Sequence, residues 1–303
     1  MSGVDREPEF TASIPALRRA LVRARAALGR DLPWIGLDDP WAVLVSEVML
    51  QQTSTARVVG PWRRFVAAYP TPESCARAPL ADVLRLWRGL GYPRRAKSLH
   101  DAARVMVERH DGEVPSACED LLALPGVGPY TAHAVASFAF HQRVAVLDTN
   151  VGRVLARALA NRPLRSREAQ GFADALLPRR DVAAFNQALL DLGAQYCTAT
   201  PRCDPCPVRR HCRWRCEGGD DPAPRSAAVS RPQAPFRGSD RQVRGRIMAA
   251  LGEGPMSRAS LARQLSDVEV TRRDALLAEL VRDGLVGEGG GRVALSGEDL
   301  TRY

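Results

Sequence analysis

Residues 122–134 read LALPGVGPYTAHA. Apolar residues at helical spacing flank a break made by Pro125, Gly126, Gly128 and Pro129. Gly126 and Gly128, with Val127 between them, form a tight turn between two helices and leave backbone N–H groups pointing outward where the second helix starts. Such a turn is either a phosphate nest or a plain corner that reverses the chain, and taken alone it does not choose. Working outward, the same helical period recurs in Ile14–Leu28, Trp41–Gln52, Leu80–Leu86, Ala96–Val107, Thr131–Phe140, Val151–Leu159 and Ala183–Leu192. Pro61, Pro70 to Pro72 and Gly89 to Pro93 read as joints, and strand-like alternation is nearly absent before about residue 192. The body is therefore expected to be mainly α.

The 303 residues suffice for about two domains, and a 45% hydrophobic, 25% charged composition is that of a soluble globular chain. Forty-three basic residues against 34 acidic ones leave a net charge of +9, which excludes a generic acidic enzyme and points to a polyanionic partner. That charge tips the glycine turn toward phosphate binding. Lys97 is the only lysine, the pattern of a GC-rich coding sequence, and it leaves one candidate side chain for lysine chemistry. The polar N-terminus and the lack of a membrane-length apolar run predict a cytoplasmic protein with no membrane partner; with DNA as the polyanion, a nucleoid-associated monomer is expected.

Five of the seven cysteines crowd into residues 197–216. Cys197, Cys203, Cys206 and Cys212 are spaced C-x5-C-x2-C-x5-C, so four thiolates can converge on one metal centre. A single CxxC with two longer arms favours a 4Fe-4S cluster over a zinc ribbon built from two knuckles. Cys216 is a spare thiol or an alternative ligand. The loop also carries Arg202, Arg209, Arg210, His211, Arg213 and Arg215, which a cluster would hold out toward phosphates.

Two carboxylates stand out. In WAVLVSEVMLQQTST (41–55), Glu47, Gln51 and Ser54 form a polar stripe on a greasy helix, where burial would keep a proton on Glu47 near neutrality. In VAVLDTNVGRVLAR (144–157), Asp148 follows an apolar run and precedes a helix, so it or Thr149 is also a natural N-cap. Together the two make the protonated acid and ionised stabiliser that glycosidic cleavage needs.

Residues 217–238, EGGDDPAPRSAAVSRPQAPFRG, have little to bury and read as a linker within 216–238. Beyond it, Asp240–Leu251, Ser257–Leu265 and Thr271–Asp283 read as helices and Leu285–Leu295 as a hairpin. This winged-helix-like unit, 239–303, places Arg272, Arg273 and Arg282 on its third helix, for a nucleic-acid groove or for a protein contact.

SEVMLQQT (46–53), GLGY (89–92), LPGVGPYTA (124–132), LDTNVGRVLAR (147–157) and the four cysteines together closely resemble the adenine DNA glycosylases called MutY, of the helix-hairpin-helix superfamily that includes endonuclease III. The resemblance covers roughly residues 11–215. It implies a two-lobed fold, with a six-helix lobe over about 31–145 and a cluster lobe from 11–30 plus 146–215. It implies excision of adenine mispaired with 8-oxoguanine or guanine in double-stranded DNA. Glu47 would protonate adenine N7, Asp148 would stabilise the oxocarbenium ion or form a transient glycosyl link, and Tyr130 and Asn150 would position these groups and the water. Gln52, Thr53, Leu90 and Tyr92 match positions that wedge into the duplex while adenine is flipped out, and Gly126, Val127 and Gly128 match the hairpin that holds phosphate. Tyr130 stands where lyase relatives carry a lysine, so the enzyme is expected to be monofunctional.

The sequence departs from the family pattern in four places. The first cysteine interval is five residues rather than six, Thr149 replaces a glycine, and Pro93 replaces a second aromatic. The 240–295 unit occupies the place of the domain that reads 8-oxoguanine in longer members, so that reading is expected to fall to the wedge and this unit. A thymine or uracil mismatch glycosylase and an iron–sulfur DNA-binding regulator are the alternatives.

Overall fold

The computed structural model describes residues 7–230 and 235–300; residues 231–234 of the expected linker and 301–303 of the expected C-terminal unit lie outside the described residues. In chain order the helices are α1 (Glu7–Leu28), α2 (Pro40–Leu50), α3 (Thr55–Ala68), α4 (Pro72–Arg77), α5 (Leu80–Leu86), α6 (Arg94–Arg109), α7 (Cys118–Ala123) and α8 (Pro129–Phe138). They continue with α9 (Thr149–Val154), which runs into a π-helical turn (Leu155–Ala160), then α10 (Ser166–Leu176), α11 (Val182–Gln195), α12 (Arg213–Glu217) and α13 (Asp240–Gly252). The chain closes with β1 (Met256–Ser257), α14 (Arg258–Gln264), α15 (Val270–Arg282), β2 (Val286–Gly289) and β3 (Arg292–Leu295). No described helix is long and apolar enough to cross a membrane.

The described residues divide into two compact units, one formed by 7–38 with 128–230 and the other by 39–127 with 235–300. The first is built around the α9 and α11 helices, whose Val151, Val154, Leu155, Phe185 and Leu189 pack with Leu17 and Leu21 of α1. The second buries α2 from Trp41 to Met49, with Phe65, Trp87, Leu99 and Met106 around it. The first edge falls after residue 38, later than the expected 31, and the second after 127, earlier than the expected 145, because α8 buries Ala134 in the core of the first unit.

Three local findings differ from the sequence reading. Asp39 caps α2 by accepting from the N–H groups of Trp41 and Ala42, but the helix ends at Leu50 rather than Gln52. Gln52 adopts φ +56, which breaks the stripe of Glu47, Gln51 and Ser54; Ser54 becomes the N-cap of α3. Pro61 sits inside α3 rather than at a joint, since the preceding Gly60 has no Cβ to clash with the proline ring.

The supposed linker is a strap over its first fifteen residues. Ala223 and Ser226 are buried, Ser226 Oγ accepts from the Leu164 N–H at 3.1 Å, and Ala227 N–H donates to the Leu164 carbonyl at 2.8 Å. Its small and polar composition hides this, because alanine and backbone bonds hold it in place of large apolar side chains.

In the C-terminal part, β2 and β3 form a hairpin through Gly290 and Gly291, both at positive φ, as a two-residue turn of type I′ requires. β1 adds to β3, giving a three-stranded antiparallel sheet in the order β1-β3-β2 beside three helices. This C-terminal part groups with the 39–127 helices instead of standing alone.

Candidate active site and cysteine pocket

Asp148 is the N-cap of α9 and also its most constrained carboxylate. One oxygen accepts from the Val151 N–H at 2.7 Å and the other from Asn150 Nδ2 at 2.5 Å. Desolvation raises its pKa above the ordinary carboxylate range, although these two donors and nearby Arg153 pull the other way. The side chain keeps partial solvent access. A carboxylate held by fixed donors in a poorly solvated place is built to meet a developing positive charge. Capping and chemistry are thus compatible at this residue.

Arg153, absent from the sequence reading, fixes the orientation of Asn150. It donates to Asn150 Oδ1 at 2.6 Å, to the Gly193 carbonyl at 3.1 Å and to the Cys197 carbonyl at 2.7 Å. Gly193 is required here, since a Cβ would lie 2.6 Å from the Asn150 carbonyl oxygen. Thr149 donates or accepts at Ser230 Oγ, 2.8 Å away, and receives the Ser230 N–H, so the residue that replaces glycine anchors the strap. Ala228 of the strap lies against Gly152, where a Cβ would come within 2.9 Å.

The four cysteines Cys197, Cys203, Cys206 and Cys212 line one cavity with Tyr196 and Trp214. Cys216 is exposed and outside it. Among the described residues no three His, Cys, Asp or Glu side chains converge as single-ion ligands. Thiols spread round a cavity suit a group of several atoms better than one ion. Donors already aim at the sulfurs: Arg157 reaches Cys197 Sγ at 3.3 Å, and the Val208 and Arg215 N–H groups reach Cys206 and Cys212. Burial pushes the Cys212 thiol up to about 12 and raises Cys197 and Cys206, so a cationic metal group is what would hold these sulfurs as thiolates.

Arg157 is the largest fully buried side chain, paired with Asp221 of the strap at 2.6 and 2.9 Å. It also donates to the Thr198 carbonyl and lies over the Trp214 ring at 5.4 Å. Burial opposes its charge, but Asp221 and Cys197 more than offset this, and its pKa stands above the ordinary guanidinium range. Arg209 and Arg210 are exposed on a 3₁₀ turn (Arg209–His211), with Arg209 donating to the Asp204 carbonyl.

In the other unit, Glu47 is only 5% exposed among the apolar residues of α2, as its sequence context implied. The structure brings Thr53, Leu90 and Tyr92 together around Arg95 of α6, which the sequence reading missed. Arg95 donates to the carbonyls of Val48, Met49, Leu90 and Gly91 and to Thr53 Oγ1, at 2.8–3.2 Å. Its guanidinium also lies over the Trp87 and Tyr92 rings, and burial lowers its pKa to about 10. Leu90 is buried, so its side chain lies under the loop, and Gln52 and Gly91 are the exposed members of this region. Pro93, in place of an aromatic, is the N-cap of α6.

The glycine turn folds as expected. The Val127 N–H bonds the Leu124 carbonyl, and Gly126 lies at φ +77. A Cβ on Gly126 would also fall 2.5 Å from Ser98 Cβ, so glycine is required twice. The N–H groups of Gly126 and Gly128 find no acceptor among the described residues. Val127 is buried, and Tyr130 packs at the edge of the core of the first unit. Lys97 pairs with Asp101 on α6 at 2.6 Å.

Residues 45–174 match the HhH-GPD superfamily base excision DNA repair proteins. The adenine DNA glycosylase of Mycobacterium tuberculosis is 48% identical over 281 residues, covering 89% of this chain and 90% of that protein. That of Mycolicibacterium smegmatis is 45% identical over 282 residues, 90% of this chain and 93% of its own length. The human adenine DNA glycosylase is 42% identical over 219 residues, 67% of this chain and 40% of its own. Among solved structures, a thermostable thymine-DNA glycosylase superposes with a TM-score of 0.63 at 26% identity, covering 68% of this chain and 98% of that one. Endonuclease III in a non-covalent DNA complex gives 0.59 at 24% identity over 67% of this chain and 97% of its own, a likeness of fold alone.

Proposed function

The chain belongs to the adenine DNA glycosylases of the HhH-GPD superfamily, and from that premise we propose that it excises adenine mispaired with 8-oxoguanine or guanine in double-stranded DNA. The observation that carries the proposal is Asp148, a desolvated carboxylate fixed by Asn150 and the Val151 N–H. Hydrolysis of the N-glycosidic bond builds positive charge on the deoxyribose, and Asp148 gains most from neutralising it because little water competes. Glu47, buried on α2, is the general acid that protonates adenine N7 and makes the base a leaving group. Asn150 holds Asp148, and Tyr130 together with Asn150 positions the water.

Gln52, Thr53, Leu90 and Tyr92 form the wedge that supports the flipped-out state, with Leu90 acting from beneath. The turn at Gly126, Val127 and Gly128 offers its N–H groups to a phosphate, and Arg209 and Arg210 add charge to the grip. Cys197, Cys203, Cys206 and Cys212 would hold a 4Fe-4S cluster, which pins this cationic loop and takes no part in the hydrolysis. With Tyr130 in the hairpin and Lys97 engaged by Asp101, no lysine nucleophile is assigned, and the enzyme is monofunctional.

The test is a set of duplexes carrying A opposite 8-oxoguanine, A opposite G, T opposite G and U opposite G, cleaved with alkali after incubation. Strand breaks in the two adenine duplexes are expected, with no adduct trapped by borohydride. Breaks only at the T or U opposite G would replace the reading by a mismatch glycosylase, and no breaks at all would favour a DNA-binding regulator.

A further inference from the structure

The unit at 239–300 carries nine arginines against ten carboxylates, while the chain as a whole is at +9. It therefore adds nothing to the general attraction for a polyanion. Of the three arginines of α15 that the sequence pointed toward a groove, two are engaged at home, Arg272 with Asp240 and the Gly238 carbonyl and Arg273 with Asp274, while Arg282 is exposed. Three of its carboxylates, in contrast, meet arginines of the 39–127 helices. Arg88 meets Glu253 at 2.5 Å, Arg94 meets Asp283 at 2.5 Å, and Arg85 pairs with Glu298 while donating to the Gly252 carbonyl at 3.0 Å. Backbone approaches close as well, for Gly284 leaves room for the Lys97 stem and Gly297 lies against Leu80.

One contact reverses the sign of this docking. Arg241 on α13 donates to the Tyr92 hydroxyl at 3.0 Å. Tyr92 lies at φ +49, a backbone state that tyrosine rarely adopts, and Arg95 covers its ring with the guanidinium carbon 5.5 Å from the centroid. The ring is thus fixed at its face by α6 and at its hydroxyl by the C-terminal unit.

We propose that Arg241 is a positioning residue that sets specificity: it holds the Tyr92 phenol in one place, so that the wedge fits one opposing base better than another. The inference rests on the excision reading above. A base opposite adenine differs between guanine and 8-oxoguanine by one oxygen and one proton. A loose ring adjusts to either, whereas a fixed ring turns that small difference into a difference in rate. The docked acidic face then has a purpose, which is to place this one arginine.

The test uses the full-length holoenzyme and single-turnover excision from duplexes with A opposite 8-oxoguanine and A opposite G. Arg241→Met is expected to reduce the ratio of the two rates by about tenfold, the size of one hydrogen bond to a charged group. Tyr92→Phe, which removes only the hydroxyl, should reduce it equally, and the double variant should be no worse than either single one. Thermal unfolding of each variant confirms that it is folded. An unchanged ratio in Arg241→Met, equal slowing on both duplexes, or additive losses in the double variant would overturn the proposal. A wild-type enzyme inert on both duplexes would instead sink the excision reading itself.

Discussion

Arg157 and Arg95 both bring a guanidinium into the interior, one facing a carboxylate and the other a ring of carbonyls. Around Arg157, Asp221 and the cysteine loop raise the pKa; around Arg95 no carboxylate among the described residues offsets burial, which lowers it to about 10. The first is a staple that ties the strap and the cysteine loop to α9. The second is a bracket that shapes the chain at 48–53 and 90–92 through neutral acceptors and so leaves its charge uncompensated. The difference teaches where stability and function part. A paired charge serves the fold, while an unpaired one beside an exposed loop stays available to a polyanion.

Substitution at the two positions tests this contrast. Arg157→Met strands Asp221 and three carbonyls, and should cost about 3–5 kcal/mol in urea unfolding, with loss of iron if the cysteines hold the proposed cluster. Arg95→Met should cost less, about 1–3 kcal/mol, while weakening duplex binding more. Equal stability losses, or a greater loss at Arg95, would break the comparison. A smaller effect sharpens the account of the second unit. Gly126→Ala should lose about 1–3 kcal/mol from its left-handed backbone and its contact with Ser98. Ser98→Gly in the same chain should recover only the contact share, and full recovery would show that the backbone state is unimportant.

The sequence was most legible where a residue type can do one thing. Two glycines in LPGVG make the turn, four close cysteines line one cavity, and the Glu inside VLVSEVML is buried. It was least legible where the work is done by backbone acceptors. Arg95 and Arg153 are two among 42 arginines, and nothing in their neighbours reveals that carbonyls from distant segments surround them. α10 escaped notice because its buried face is Ala169, Ala173 and Leu176, too small to mark a period, and α3 because Pro61 reads as a stop. The strap failed for the same reason, since Ala223 and Ser226 bury little surface yet fit closely.

Single-turnover excision of adenine opposite 8-oxoguanine by the wild type and Asp148→Asn, each with its melting temperature, tests the central claim most directly. The raised pKa means that the ionised carboxylate costs folded-state stability as pH rises from the ordinary carboxylate value through the raised one. At pH 7 the amide removes that cost while removing the charge. The account predicts a rate lower by at least about a hundredfold, with a melting temperature unchanged or higher. An Asp148→Asn enzyme that still excises adenine at the wild-type rate, or one that loses activity only by unfolding several degrees earlier, would contradict it.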